Sequence, residues 1–321
     1  MIGCLLLLVT VSLTAGVPVA RRLNRAAWPE REPVLGLWVW QCLVATALLS
    51  CLTGLLLGMA AVFRTVRDSL FESAPPGVLA AYELAAVPAW ATGLTLLLAA
   101  GAVWTTAVLA GRFWAIRRTR AVTRDRLRRR APDLPGGLPT ASGPLLVLED
   151  EYPDAWWLPG SPSQLVVTTG AIQRLTDRQL DAVLTHERGH AGARHDWLLH
   201  LSAAFASGFP RIPLFTHFCE RTHQLVELAA DDTAARRCGH VTTALALIEL
   251  NQHRGVLSCA SSRGELGDRV DRLLAPPPRL RRRDRVFIAT AAALTPSLPL
   301  LITLAPGIDA LDWSATGGQG T

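Results

Sequence analysis

The chain has 321 residues, 50% of them hydrophobic and 18% charged, with 10 tryptophans and a mean hydropathy of +0.27, a balance displaced toward membrane proteins and away from a wholly soluble domain. Its formal charge of +6 is carried by arginine alone, since the sequence contains no lysine, and the arginines fall in short runs beside apolar stretches. Those runs lack interleaved aromatics and any recognisable nucleic-acid-binding module, so they point to membrane topology and no direct nucleic-acid contact is expected.

Four segments carry no charge over a length able to cross a bilayer core of about 30 Å: residues 1–20, 33–63, 84–111 and 286–308. The first ends in the small residues "VPVA", as a signal peptide does, but Arg21, Arg22 and Arg25 follow it instead of preceding it, so it reads as an anchor. Pro296, Pro299 and Pro306 kink the fourth, which membrane helices tolerate. The absence of charged residues within the spans argues against an ion or proton pathway.

Arginine placement sets the orientation, because short basic loops stay on the cytoplasmic side. Arg21, Arg22, Arg25 and Arg31 hold the first loop inside, whereas Asp68, Glu72 and Glu83 outweigh Arg64 and Arg67 in the second. The runs Arg117–Arg130 and Arg279–Arg285 flank one segment and place it inside. Both termini are therefore expected outside, and residues from about 112 to 285 in the cytoplasm of a multi-pass plasma-membrane protein. The arginine runs themselves suit contact with anionic lipid headgroups, which makes the bilayer one partner.

A basic linker, 112–144, closes with the Pro/Gly-rich "APDLPGGLPTASGP" and leads into a globular segment, 145–275; the fourth span, 286–308, and a short tail, 309–321, follow. "PLLVLED" and "SQLVVTTG" read as strands. From Thr176 the spacing turns helical, and Thr176 with Gln179 forms a capping pattern at the helix start. Inside that helix stand His186, Glu187 and His190 in the order H-E-x-x-H.

Residues four apart on a helix point nearly the same way, so both imidazoles can hold one Zn²⁺ while Glu187 lies alongside as a general base for a metal-activated water. The intervening Arg188 and Gly189 need no special identity. Such a site takes a third protein ligand, and downstream His223, Glu227 and Asp231 share one helical stripe at four-residue spacing. Glu227 is the chosen ligand, with His223 the alternative; Asp231 is placed to accept a hydrogen bond from a ligand histidine and fix its tautomer. Arg269 and His223 are the candidate stabilisers of an oxyanion. His195, His200, His217, His240 and His253 read as structural or exposed. Of the six cysteines, Cys4, Cys42 and Cys51 lie in apolar spans, and Cys219, Cys238 and Cys259 form no C-x-x-C pair; neither a disulfide framework nor a cysteine-rich zinc site is indicated.

With these residues assembled, "LVVTTGAIQRLTDRQLDAVLTHERGH", "ELAAD" and "DRVDRLL" resemble the BlaR/MecR-type antirepressor membrane zinc metallopeptidases, relatives of the HtpX-type peptidases, over Leu145 to Leu274. The resemblance implies a mainly α membrane protein of four transmembrane helices with a cytoplasmic α+β zincin-like (gluzincin) metallopeptidase domain. It implies Glu227 as third ligand with Asp231 in E-x-x-x-D, and a protein or peptide substrate such as a transcriptional repressor. The chain departs from that group in lacking a penicillin-binding sensor domain after the last span, and in carrying His195 and Asp196 where many relatives have an acidic residue.

Trp156 and Trp157 read either as flanks of the cleft or as a half-buried packing pair. "QLVVTT" and "DAWWL" are the two candidate edges for a substrate backbone to pair with. The competing reading is a non-catalytic membrane transducer using the zinc domain as a binding module. An intramembrane protease is disfavoured, because Asp177, Arg178, Asp181, Arg188, Arg194 and Asp196 charge the motif helix and its exit.

Overall fold

The computed structural model describes residues 2–72, 78, 82, 89–130, 139–140, 143–158, 164–252 and 260–317. Most of the expected outer loop between the second and third spans, most of the Pro/Gly-rich stretch 131–144, His253 and Cys259 lie outside the described residues.

Helices dominate. The N-terminal part comprises α1 (Ile2–Thr14), one wide π-helical stretch (Ala15–Val19), α2 (Ala20–Arg25), α3 (Trp28–Arg31), α4 (Pro33–Val62), α5 (Arg64–Phe71) and α6 (Ala89–Arg130). The π-helical stretch contains Pro18, which has no N–H to give the ordinary ladder, so the chain widens there and continues. Among the described residues, three helical stretches are long and apolar enough to cross a membrane, Gly3–Arg25, Pro33–Val62 and Ala89–Thr119. Helix α6 runs 42 residues, about 63 Å at 1.5 Å per residue, so the arginine run prolongs the apolar helix without a break.

Strands β1 (Pro139–Thr140), β2 (Gly143–Leu148), β3 (Ala155–Leu158) and β4 (Gln164–Thr168) form one sheet in the order β1-β2-β4-β3. β2 lies parallel to β4, and β3 antiparallel to it with Trp157 opposite Leu165. Central β4 is buried from Leu165 to Thr168, which explains its continuous apolar run. The strand "QLVVT" is therefore no edge; "AWWL" is. Period-2 alternation sends Ala155 and Val167 to one face, with Leu145 and Val147, and Trp156, Leu158 and Val166 to the other, with Leu146 and Leu148.

The helices that follow are α7 (Thr169–Arg174), α8 (Asp177–Gly192), α9 (His195–Gly208), α10 (Pro213–Cys238), α11 (His240–Gln252) and α12 (Ala260–Leu274). Helix α8 opens on a capping box: the Thr176 hydroxyl accepts from the Gln179 amide, and the Gln179 side chain accepts from the Thr176 amide. Its inner face, Ala182 and Val183, packs with the sheet and with Ala246 of α11.

Helix α10 packs on α8 on one side and on α4 on another. Leu23, Leu37, Trp40, Leu43 and Val44 form one buried cluster with Phe205, Phe215, Phe218, Leu225 and Val226. The polar rim of that contact is tied by Arg221, whose Nε donates to Asn24 Oδ1 at 2.8 Å and Nη1 to Glu30 Oε1 at 3.0 Å; Nη2 donates to the Asn24 carbonyl. Arg272 Nε donates to the Glu30 carbonyl at 2.9 Å.

The expected fourth span is not one straight helix. It divides into α13 (Arg282–Leu294) and α14 (Ser297–Gly317), bent by 48°, which are long and apolar enough to cross a membrane when taken together. Pro296 sits in the break and Pro299 in the next turn, and two missing N–H groups account for the bend. Cys4, Cys42, Cys51, Cys219 and Cys238 are free thiols.

Candidate metal centre

Helix α8 points His186 and His190 at one place, their Nε2 atoms 3.1 Å apart. Helix α10 brings Glu227 to the same place, with Oε2 3.7 Å from His186 Nε2 and Oε1 3.5 Å from His190 Nε2. A tetrahedral zinc with bonds of about 2.0–2.1 Å needs ligand atoms about 3.3 Å apart, and the three separations bracket that value. Two imidazoles and one carboxylate are also a donor set that zinc accepts, so the residues fit the ion.

Convergence depends on α8 and α10 lying close. A Cβ on Gly189 would stand 3.4 Å from Ala230 Cα and 3.5 Å from Thr233 Cβ. The sequence reading made no demand on this position; the structure requires a small residue there, because a larger side chain would push Glu227 away from the histidines.

One turn beyond Glu227, Asp231 is 1% exposed, and its Oδ1 lies 3.0 Å from His186 Nδ1. Arg269 of α12 donates from Nε and Nη2 to Asp231, both at 2.8 Å, and from Nη1 to Glu227 at 2.9 Å. In this arrangement the two acids hold Arg269 in the wall of the cleft. His223 is exposed and lines an adjoining cavity, apart from the cleft that holds the other site residues.

Sequence reasoning missed two contacts. His195, read as structural or exposed, is buried with Nδ1 3.1 Å from His190 Nδ1, so it faces the ring nitrogen that the ion would leave free. It gets there because Arg194 adopts a left-handed conformation, φ 51°, that folds α9 back on α8. Glu187 Oε2 accepts a hydrogen bond from the Trp157 backbone N–H at 3.1 Å, which ties the carboxylate to edge strand β3. Neither contact leaves a signal in residue spacing. The cleft, about 360 Å³, is lined by these groups and by the apolar Val183, Leu247 and Leu250.

Burial alone would lower the His186 pKa, but its bonds to Asp231 and Glu227 overcome this and raise it to about 9. His190 is lowered to about 4, chiefly by burial, with Glu227 opposing. Burial also raises the Glu187 carboxyl. For Glu227 burial acts upward, yet the His186 hydrogen bond and the Arg269 charge win and hold it well below the usual carboxylate range. Asp231 is lowered in the same way by Arg269 and His186.

Compared with known proteins, residues 136–209 match the model of peptidase family M48, a family of metal-dependent peptidases. That stretch holds the sheet, α8 with both histidines, and α9; Glu227, Asp231 and Arg269 lie beyond it, so their place at the site rests on geometry. No curated protein and no solved structure gave a match.

Proposed function

We propose that the protein is a membrane-anchored zinc endopeptidase of the H-E-x-x-H…E-x-x-x-D type, its catalytic segment on the cytoplasmic side of the plasma membrane. The observation that carries this reading is the meeting of His186, His190 and Glu227 at tetrahedral-ligand spacing with Glu187 beside them. When bound there, Zn²⁺ supplies Lewis acidity toward water and the scissile carbonyl.

The chain's own groups do the rest. Glu187 is the general base: burial raises its carboxyl above the ordinary value, and the Trp157 N–H holds Oε2 so that the other oxygen takes a proton from water and later delivers it to the leaving amine. Asp231 accepts from His186 Nδ1 and keeps that ring's Nε2 available as a ligand; His195 does the same for His190. Arg269 fixes Glu227 and Asp231 against each other. An extended peptide lies along the outer side of β3, the last strand of the described sheet, and an apolar side chain next to the scissile bond packs on Val183, Leu247 and Leu250. The substrate class is an unfolded segment of a regulatory or membrane-associated protein, a transcriptional repressor among the candidates.

The test is Glu187→Gln in the full-length chain. It should retain zinc and lose cleavage, seen as peptides that appear only in cells carrying the wild type. A Glu187→Gln protein with unchanged biological activity would refute the reading and leave a non-catalytic transducer.

A further inference from the structure

Residues 197–216, "WLLHLSAAFASGFPRIPLFT", are mostly apolar with Arg211 as their one formal charge, and that interruption hides the stretch from a search for charge-free spans. In the structure it forms α9 from its third residue on, a tight turn and the start of α10, and it packs on α4 and α6 instead of standing off from them. The Trp104 indole donates to the Gly208 carbonyl at 2.9 Å. Gly208 also abuts Val108, so that a Cβ there would meet Val108 Cγ1 at 3.2 Å. Phe113 packs on Trp197 with ring centroids 4.7 Å apart. On the other side Phe205, Leu214 and Phe215 share a buried cluster with Leu43, Val44 and Ala47 of α4.

These contacts set a depth. Val108 and Trp104 precede Gly111, the end of the charge-free segment, by three and seven residues, or about 5 and 10 Å along the helix. Helices lying in a membrane interface bury their apolar face to about 5–10 Å. The surface around the hairpin has the matching composition: Trp104, Trp114 and Trp197 are 54%, 66% and 50% exposed, as aromatic side chains are at membrane interfaces, and Ile212 at the turn is 39% exposed. Arg211, at the turn, has a stem long enough to snorkel to lipid phosphates.

We infer that residues 197–216 form a helical hairpin immersed in the inner leaflet of the bilayer, with lipid as its partner, in addition to the spans. The inference rests on the reading that α4 and α6 cross that bilayer. It has a consequence for the proposed site: α9 starts at His195, which touches His190, so the metal centre lies close to the membrane surface.

The full-length chain in phosphatidylethanolamine/phosphatidylglycerol nanodiscs, with its native cysteines replaced, carries one nitroxide at a time from Ile212→Cys, Leu97→Cys or Tyr152→Cys. Power saturation then compares collisions with oxygen, which concentrates in lipid, and with nickel(II) ethylenediaminediacetate, which stays in water. Position 212 should favour oxygen severalfold, as position 97 in α6 does, while position 152 favours nickel. An aqueous signal at 212 beside a lipid signal at 97 overturns the hairpin alone; aqueous signals at both overturn the membrane reading on which it rests. Benzoylphenylalanine at Ile212, with all native cysteines retained, provides a check that does not depend on cysteine removal. A lipid adduct on irradiation supports immersion, and its absence alongside an adduct at Leu97 overturns it.

Discussion

Asp231→Asn is the most informative perturbation. The carboxylate is 1% exposed, takes two 2.8 Å hydrogen bonds from Arg269 and lies 3.0 Å from His186 Nδ1. The amide nearly preserves shape but removes the charge, leaving Arg269, itself only 18% exposed in its side chain, with Glu227 as its sole carboxylate partner. Removing one member of a buried, hydrogen-bonded ion pair costs about 3–5 kcal/mol. At about 2–4 °C per kcal/mol for a domain of this size, the metal-free melting temperature should fall by about 10 °C. Zinc affinity should drop by about 10–100-fold, the usual effect of losing a carboxylate behind a ligand histidine. Thermal unfolding in detergent and competition with a chromophoric chelator read the two effects separately. A variant that melts within a degree or two of the wild type would refute the claim that Asp231 anchors both His186 and Arg269.

The histidine pair predicts a pH profile. Coupled across 3.1 Å, it takes up one proton near pH 9 and resists the second until about pH 4. Against an ordinary value of 6.5, the raised group stabilises the fold fully below pH 6.5 and loses that effect as pH rises to about 9. The lowered group opposes folding as pH falls from 6.5 to about 4, so metal-free stability should peak near pH 6.5 in thermal scans with chelator. Zinc needs both rings neutral, so its affinity should instead rise through the alkaline limb. His195→Ala should weaken zinc binding by about 10–100-fold in the chelator assay, because His190 Nδ1 loses its partner. At Gly189, Ala should be tolerated, whereas Val should overpack the α8–α10 contact by about 1–3 kcal/mol and reduce zinc occupancy in metal analysis.

What could be read from the sequence divides along physical lines. Spacing on single helices was legible: His186 with His190, and Glu227 with Asp231, needed only the 3.6-residue period, and the start of α8 needed only Thr176 and Gln179. Contacts set by backbone between elements were not. The His195 contact requires the left-handed turn at Arg194, and the Trp157 hydrogen bond requires the register of β3. Arg269 was legible as a neighbour of the site but not as a clamp, because only tertiary packing shows both of its partners to be acids of α10. The bend at Pro296 replaces a straight last span, since composition measures apolarity and not whether a helix runs true.

The buried cluster that joins α4 to α10 bears on how the molecule can be handled. Phe218, Leu225 and Val226, all but inaccessible in the intact chain, lean on Trp40 and its neighbours. A fragment trimmed to residues 145–275 would bare that greasy flank to water, an invitation to aggregate rather than a tractable soluble enzyme. The apolar N-terminal helices are also the missing half of its interior.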